Sequence, residues 1–313
     1  MSLRKFLTAS RKRIEQRGFI PGVRGSAYKL YYGLWAKSTV LHNPGETFWN
    51  REWDVLLVLD AFRADLMREL ADEVEYIDCV GSVWSNASTS GEWMQRNFNE
   101  RYATEMSETA FVCGNPHTGV HIENPEEFAV FDEIWKYAWD DETGTIKPES
   151  LNDRAIKTWR KKSPDRMIVH YMQPHFPSVP NPELGSEIDP ASNVTGEVLW
   201  ESVWDSLRDG EVTKAEVWAA YRENARYILS EIELLLNNID ASKVILTADH
   251  GNSFGTYGIY GHPYGAPIRA LREVPWCETT ATDSGEYQPS VSPERSDLVN
   301  SEVEQRLSDL GYT

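Results

Sequence analysis

The chain has 313 residues, enough for one large α/β domain or two smaller ones with a substantial core. Its 49 acidic residues outnumber the 31 Lys and Arg, which gives a net charge of −18. A surface of this charge argues against binding to nucleic acid. The three cysteines are too few and too scattered for a disulfide framework, so we expect a reducing compartment.

The acidity, together with an excess of Arg over Lys, resembles that of proteins from salt-loving archaea. An acidic protein from a mesophilic organism that does not live in concentrated salt fits the same composition. No apolar run approaches the roughly 18 residues needed to span a bilayer. No signal-peptide core follows the first five residues. We therefore expect a soluble, cytoplasmic protein.

Residues 1–37 differ in charge from the rest of the chain. They contain nine Lys and Arg against Glu15 alone, with apolar residues such as Leu7 and Phe19 interleaved. A basic amphipathic segment of this kind can lie on the cytoplasmic face of an anionic membrane. A helix that packs on the protein's own acidic surface fits the pattern equally well. We assign residues 1–50 to a basic N-terminal extension.

The first strong strand signal is the continuous apolar run Val55–Leu59, which is typical of a buried parallel strand. It ends at Asp60, so this carboxylate is expected at the carboxyl edge of the sheet. Capping of the following helix is the plainer role for Asp60. Arg63 is a candidate to bind a substrate anion, with an ion pair to Asp65 as its alternative.

Residues 85–98 contain a predicted helix start. Thr89 and Glu92 form a capping box, so a helix is expected to begin here. A hydroxyl at a helix N-terminus lies where the backbone N–H groups and the dipole favour negative charge. Ser88, Thr89 and Ser90 are therefore candidate nucleophiles. A capped surface helix with serines in its loop is the simpler interpretation.

The middle of the chain predicts further strands and one long helix. Residues 111–117 are expected to form a strand and a loop in which His117, like His121, is exposed. A third buried strand, residues 167–172, places His170 in the core and leads to His175. Residues 178–212 are predicted to be an insertion that influences substrate choice. Apolar residues at helical spacing predict a helix over Lys214–Ile239.

A second apolar run, Val244–Ala248, ends at Asp249 and His250. A glycine-rich loop then allows His262 to return beside them. Two imidazoles and a carboxylate suit Zn²⁺ or Mn²⁺. A buried Asp–His hydrogen bond would explain the dipeptide alone, but a second strand ending in Asp60 favours a metal. We predict that Asp60, Asp249 and His250 bind a divalent metal, with His262 as a further ligand.

Four segments together resemble the alkaline phosphatase superfamily, and within it the sulfatase-like hydrolase/transferase proteins common in archaea. They are VLLVLDAFRAD from Val55, LTADHG from Leu246, YGHPYG from Tyr260 and LREVPW from Leu271. The resemblance implies an α/β/α sandwich with a central, mostly parallel sheet, in a catalytic domain over residues 51–277. It also implies one or two divalent metals and a Ser, Thr or modified Cys nucleophile.

Two further segments resemble family motifs. The stretch around Thr89 is similar to the T-S-D-A-E-F nucleophile segment of lipoteichoic acid synthases, which places the attacking oxygen at Ser88. Thr89 is the second candidate for the nucleophile, and Ser90 is the third. The stretch from His170 to Pro177 is similar to H-x-x-x-P-H-x-P, which implies that His175 faces the substrate's phosphate or sulfate or binds a second metal.

Two family segments are missing. There is no D-x-x-x-H segment for a second metal, which favours one ion. There is no C-x-P-x-R segment, so a formylglycine mechanism is not expected.

The resemblance implies an enzyme that hydrolyses or transfers a phosphate or sulfate ester of a small molecule or glycan. A metal would activate the Ser88 or Thr89 hydroxyl. Two alternatives remain. A non-catalytic, metal-stabilised binding protein is favoured by Asn252, where family members often carry Glu. A phosphosugar mutase is disfavoured by the missing second-metal segment. Residues 278–313 are predicted to be an acidic tail, mobile through residue 297, with a short helix over Val299–Leu310.

Overall fold

The computed structural model describes residues 45–184 and 202–291, together with scattered residues between 7 and 33. Within these ranges, no helix combines the length and apolar content that a membrane span requires. The predicted helix over Val299–Leu310 and residues 185–201 of the predicted insertion lie outside the described residues.

A central sheet of seven strands confirms the predicted α/β class with a mostly parallel sheet. From edge to edge, its strands are β2 (Gly81–Trp84), β9 (Glu273–Ala281), β6 (Ala241–Thr247), β1 (Val55–Leu59), β5 (Arg166–Tyr171), β3 (Thr109–Cys113) and β4 (Val130–Glu133). The five strands from β6 to β4 run parallel, and β9 is antiparallel to both β6 and β2. A separate hairpin consists of β7 (Ser253–Thr256) and β8 (Ile259–Gly261).

Eight α-helices lie in the described ranges between residues 45 and 291. They are α1 (Ala64–Leu70), α2 (Ser90–Asn97), α3 (Ala103–Ser107), α4 (Thr118–His121), α5 (Pro148–Lys162), α6 (Val203–Asp209), α7 (Lys214–Leu236) and α8 (Arg269–Arg272). The long helix α7 begins at a capping box formed by Thr213 and Glu216, and it ends three residues before the predicted end.

Alternate residues of the central strand β1 face two different layers of the core. Val55, Leu57 and Leu59 pack with α1, α5 and α7, whereas Leu56 and Val58 pack with α2 and α3. All five side chains are fully buried. The sheet is therefore covered on both faces, which explains why β1 reads as an unbroken apolar run.

The segment after residue 277 makes more contacts than its composition predicts. Strand β9 continues to Ala281, and Arg160 on α5 binds Asp283 at 2.6 Å. Asp153 on α5 accepts hydrogen bonds from the Tyr287 hydroxyl and from the Val291 amide. Residues up to 291 are thus held against α5. The prediction of a mobile segment was wrong for them because composition does not reveal partners on a distant helix.

We expect the stability of this sheet edge to depend on pH through Glu273. Its carboxylate accepts hydrogen bonds from Arg269, Arg68 and Ser82, and the bond from Arg269 is the main cause that lowers its pKa to about 2. Because the folded pKa lies below the unfolded one, this stabilisation is complete above about pH 4.5 and is lost as the pH falls towards 2. Glu273→Gln should lower the free energy of unfolding by about 1–2 kcal/mol at pH 7.

Urea denaturation at pH 7, 5 and 3.5 measures this effect. The difference between Glu273→Gln and wild type should shrink as the pH falls. Glu278→Gln, an exposed change on the same strand, is the control and should differ little from wild type at any pH. A difference that stays constant with pH would show that the carboxylate charge is not the cause.

Candidate active site

The carboxyl ends of three adjacent central strands meet at one edge of the sheet. Strand β1 lies between β5 and β6, and Leu59 pairs with Tyr171 while Val58 pairs with Thr247. This register brings Asp60, the residue after β1, next to Asp249 and His250, which follow β6. All three side chains are fully buried. The two distant Asp residues are therefore brought together, as the sequence predicts.

The spacing of these side chains fits a metal ion. One ligand atom each from Asp60, His170 and Asp249 lie within 4.8 Å of one another. The Nε2 atom of His250 is 3.6 Å from Asp60 Oδ1 and 3.5 Å from Asp249 Oδ2. These distances are long for hydrogen bonds. Zinc bonds of about 2.0–2.2 Å in a tetrahedral site separate the ligand atoms by roughly 3.3 Å, close to the observed values.

Each carboxylate has one oxygen fixed by hydrogen bonds. Asp249 Oδ1 accepts the backbone amides of Ala61 at 3.0 Å and His250 at 2.8 Å. Asp249 Oδ2 has no hydrogen-bond donor among the residues that the structure describes. Asp60 Oδ2 accepts the side-chain amide of Asn115 at 2.8 Å. A buried carboxylate oxygen without a donor is costly unless a cation binds it.

Three histidines have their Nδ1 atoms bonded to oxygen. Nδ1 of His250 lies 2.9 Å from the Gly251 carbonyl, and Nδ1 of His175 contacts the Phe176 carbonyl. Nδ1 of His262 lies 2.9 Å from Asn252 Oδ1. An oxygen of this kind only accepts, so Nδ1 carries the proton and Nε2 the lone pair, the arrangement usual for metal-binding histidines.

The rings of these three histidines are in contact. The centroids of His262 and His250 are 4.7 Å apart, and those of His262 and His175 are 4.9 Å apart. His262 thus lies beside His250, as the sequence predicts, and His175 belongs to the same cluster. Asn252, which departs from the family pattern, serves to orient His262.

Burial controls the charge of the site. It lowers the pKa of His250, His262 and His175, the last to about 3, so these imidazoles are neutral at physiological pH. Burial acts to raise the pKa of the Asp249 carboxyl, but His250, His170 and Ser90 outweigh it, and the pKa lies below its usual value. A buried carboxylate among neutral imidazoles provides ligands for a divalent cation such as Zn²⁺ or Mn²⁺.

The structure distinguishes the three candidate hydroxyls. Ser90 Oγ lies 3.2 Å from Asp60 Oδ2 and 3.3 Å from His250 Nε2. Ser88 Oγ donates to Glu92 Oε2 at 3.1 Å and contacts the Pro263 carbonyl at 2.9 Å. Thr89 Oγ1 caps helix α2 by accepting the Glu92 amide. Ser90, third in the order from the sequence, is thus the hydroxyl that contacts Asp60 and His250.

The loop around Ser88 is held by a buried ion pair. Glu92 Oε2 accepts the Ser88 amide at 2.8 Å, and Arg272 Nη2 lies 3.5 Å from the same oxygen. Arg272 is 1% exposed and also donates to the Ala266 carbonyl. This pair connects α2 to α8 and fixes the position of the helix N-terminus.

Arg63 has structural contacts. Its guanidinium binds Asp65 and donates to the Asn252 carbonyl at 3.0 Å. It also lies over the rings of Trp218 and Phe254. These contacts match the ion-pair alternative and support the loop that follows His250.

Two further residues of the site were not predicted. His170 was expected to be a satisfied core residue, but neither of its ring nitrogens has a hydrogen-bond partner in the described ranges, and Nε2 is 3.6 Å from Asp249 Oδ2. The prediction that His117 is exposed was wrong, since it is 8% exposed. His117 has no sequence signal, because burial of a single histidine depends on tertiary packing. His170 is the first residue of the stretch similar to H-x-x-x-P-H-x-P, from which only His175 was taken as a site residue.

No protein-family model matches the sequence, and no curated protein matches it. The fold is similar to that of the soluble domain of lipooligosaccharide phosphoethanolamine transferase A from Neisseria meningitidis, with 15% identity and a TM-score of 0.49; the match covers 77% of this chain and 79% of that one. A zinc complex of the C-terminal periplasmic domain of EcEptC from Escherichia coli has 10% identity and a TM-score of 0.45, with coverage of 77% and 76%.

A putative sulfatase from Bacteroides thetaiotaomicron is 11% identical with a TM-score of 0.44. The match covers 72% of this chain and 64% of that protein, so the chain spans just under two thirds of its length. These values describe a distant likeness in fold and no more. The resemblance to archaeal proteins gains no support from these three bacterial ones.

Proposed function

We propose that this protein is a metal-dependent enzyme that hydrolyses or transfers a phosphate or sulfate ester, with Ser90 as the nucleophile. The observation that carries the proposal is the fully buried Ser90 hydroxyl, within 3.3 Å of both Asp60 and His250 at the first residue of α2. A protein that only binds a metal for stability does not need a hydroxyl there. The proposal rests on these contacts rather than on the similar folds.

Asp60, Asp249 and His250 would hold the metal, with His170 and His262 beside them. When bound, a divalent cation supplies a lowered pKa for a neighbouring hydroxyl and screens the charge of the substrate. Ser90 passes its proton to Asp60 Oδ2, its hydrogen-bond acceptor at 3.2 Å, and its oxygen attacks phosphorus or sulfur in line with the ester bond that breaks. The departing ester oxygen takes up that proton as it leaves. The amides at the N-terminus of α2 face the negative charge of the transferred group.

His175 and His262 provide the proton chemistry of the second step. Because Nδ1 of each ring is bonded to an oxygen, Nε2 carries the lone pair and can accept a proton. One of them can take the proton of the water or alcohol that attacks the group carried by Ser90. The same imidazole can then give that proton to Ser90 Oγ, the oxygen that departs in this step, and so restore the serine hydroxyl.

A panel of esters tests the proposal. We expect purified protein loaded with Zn²⁺ or Mn²⁺ to turn over one of p-nitrophenyl phosphate, bis-p-nitrophenyl phosphate and p-nitrophenyl sulfate. The preferred ester distinguishes phosphorus from sulfur chemistry. Stoichiometric metal without turnover of these esters or of a lipid-linked phosphate would favour the binding-protein alternative.

We further propose that the N-terminal extension holds the active-site edge against an anionic membrane, where the substrate is presented. The Tyr31 hydroxyl donates to the Tyr257 carbonyl at 3.0 Å, and the Tyr28 hydroxyl contacts the Gly258 carbonyl. Both contacts are on the hairpin that leads to His262. The extension therefore packs beside the active site.

Exposed apolar side chains support this orientation. In the described ranges, every large one belongs to the N-terminal segment or to the neighbourhood of the site: Leu7, Phe19, Val23, Leu30, Val120, Tyr257 and Tyr264. Nine basic residues stand against one acidic residue in positions 1–37, while the whole chain has a net charge of −18. An anionic membrane complements this segment and repels the remaining surface.

Vesicle flotation tests the membrane contact. Full-length protein should float with vesicles of phosphatidylcholine and phosphatidylglycerol and not with phosphatidylcholine alone. The variant Phe19→Glu/Leu30→Glu should stay at the bottom, because charge replaces two exposed apolar side chains. The control Phe19→Leu/Leu30→Met keeps the apolar surface and should float. Failure of the wild type to float with either vesicle would refute the contact.

A further inference from the structure

The β7–β8 hairpin carries two residues of the site at its open end. Ser253 pairs with Gly261 in the hairpin ladder, so Asn252 and His262 come next on the two strands. Their side chains continue the pairing, since His262 Nδ1 lies 2.9 Å from Asn252 Oδ1. A change in the path of this hairpin therefore moves the His262 ring relative to His250.

The closed end of the hairpin has an unusual backbone. Tyr257 has a φ of 54°, in the left-handed region that non-glycine residues rarely adopt, and Gly258 follows with a φ of 70°. This conformation costs a non-glycine residue about 1–2 kcal/mol. The Tyr257 side chain is 73% exposed, so its own packing does not offset that cost. A strained turn of this kind persists only where its surroundings hold it.

Two tyrosines of the N-terminal extension hold this turn. The Tyr31 hydroxyl donates to the Tyr257 carbonyl at 3.0 Å, and the Tyr28 hydroxyl contacts the Gly258 carbonyl. Residues 28 and 31 are both helical, and their i, i+3 spacing places them on one side of the helix. One helix face of the extension thus engages both carbonyl groups of the turn.

The rings of the same tyrosines pack against the hairpin and its neighbours. The Tyr28 ring centroid is 6.3 Å from that of Tyr260 on β8, and the Arg208 guanidinium lies 5.5 Å from the Tyr28 ring centroid. The Tyr31 ring packs on a small apolar cluster formed by Ile259, Ala266, Ile268 and Leu271. The extension therefore supports the hairpin through packing as well as through hydrogen bonds.

The two strands of the hairpin rest on different parts of the protein. Strand β7 is anchored in the main core by Phe254, whose ring centroid is 5.1 Å from those of Trp204 and Trp218. Ile259 of β8 belongs instead to the small cluster that Tyr31 covers. The position of β8, the strand that leads directly to His262, thus depends in part on the extension.

We infer that Tyr28 and Tyr31 are positioning residues of the active site. They hold β8 and thereby keep the His262 ring beside His250 and His175. The inference rests on the proposed function for the role of His262, and it gives the extension a part in the reaction besides its contact with a membrane. A displacement of about 1 Å at a catalytic group can lower the rate by about 100-fold.

The variant Tyr28→Phe/Tyr31→Phe tests the inference, because it removes both hydroxyls and keeps both rings. We expect kcat for the preferred soluble ester to fall by about tenfold with little change in KM, in assays that contain no vesicles. Tyr76→Phe is the matched control. It also removes a tyrosine hydroxyl that donates to a backbone carbonyl, that of Leu229 on α7, and it should turn over the ester as wild type does.

The same comparison in a His262→Ala background separates positioning from stability. If the tyrosines act through His262, the Tyr28→Phe/Tyr31→Phe change should lower the remaining turnover much less in that background. A loss of folded protein would instead lower turnover by the same factor in both backgrounds. Equal factors would therefore overturn the inference.

A measurement that does not use activity distinguishes failure of this inference from failure of the proposed function. In protein labelled with ¹³C-histidine, the NMR signal of the His262 ring is the one absent from His262→Gln. It should shift or broaden in Tyr28→Phe/Tyr31→Phe and stay in place in Tyr76→Phe. An unchanged signal in the double variant would refute the positioning role even if an ester is turned over. A changed signal would support it even if none is.

Discussion

Replacing Ser90 with alanine should lower ester turnover by at least about 10³-fold, because it removes the proposed attacking oxygen. The fold should survive, since alanine is a better helix former than serine and the position is fully buried. Zinc content at saturation should match that of wild type, because Asp60, Asp249 and His250 are unchanged. These three expectations are tested on one preparation by measuring the turnover of the preferred ester, the zinc content and the urea unfolding midpoint.

Ser88→Ala and Thr89→Ala are matched controls in the same turn. Ser88→Ala removes the hydroxyl bonds to Glu92 and Pro263 and should reduce turnover by about tenfold or less. Thr89→Ala removes the helix cap and should cost about 1 kcal/mol of stability. If Ser88→Ala abolishes turnover while Ser90→Ala does not, the order from the sequence is right and the assignment of Ser90 is wrong.

Removal of the metal should destabilise the wild-type protein by about 3 kcal/mol when zinc is otherwise present at about 100 times its dissociation constant. Chelation leaves the carboxylates of Asp60 and Asp249 buried beside neutral imidazoles. Asp249→Asn should abolish most of this dependence. Its amide oxygen can still accept the Ala61 and His250 amides, and the change removes the charge at the oxygen without a donor. In the absence of metal, the variant should be less stable than wild type, because His250, His170 and Ser90 hold the pKa of the Asp249 carboxyl below its usual value and so favour its charged form in the fold.

Urea denaturation with and without EDTA measures both effects. Glu278→Gln is the control, because it removes an exposed carboxylate and should respond to EDTA as the wild type does. An Asp249→Asn protein as sensitive to EDTA as the wild type would show that the ion binds elsewhere. A metal-free variant as stable as the metal-free wild type would show that the Asp249 charge does not stabilise the fold.

Much of the fold can be predicted from the sequence, because parallel strands that are buried on both faces appear as continuous apolar runs. The apolar run Val55–Leu59 matches β1 in full, and the run from Val244 overlaps β6, which begins three residues earlier. Ala241 and Ser242 open β6 without an apolar run, so pattern alone could not place its start. The division at residues 50 and 277, the cytoplasmic location and the salt-loving origin remain predictions.

Only part of the candidate site can be predicted from the sequence, for a different reason. Asp60, Asp249 and His250 could be found because each follows a strand, and strand ends meet at one edge of a sheet. The choice among Ser88, Thr89 and Ser90 depends on which way each hydroxyl points. The predicted cap at Thr89 held a clue, since a hydroxyl that accepts a helix amide is already engaged; the Glu92 side chain, which a capping box would place on the Thr89 amide, accepts the Ser88 amide instead.

The proposed metal site also has a consequence for the lifetime of the protein. Asp60, Asp249 and His250, with His170 beside them, come from the ends of three strands that are far apart in the chain and adjacent only in the finished sheet. No segment of the chain can form this set alone, so folding must precede metal uptake. A chain made when zinc is scarce would remain as a less stable, metal-free form that opens more often to proteases. We therefore expect zinc supply to set the abundance of this protein as well as its activity.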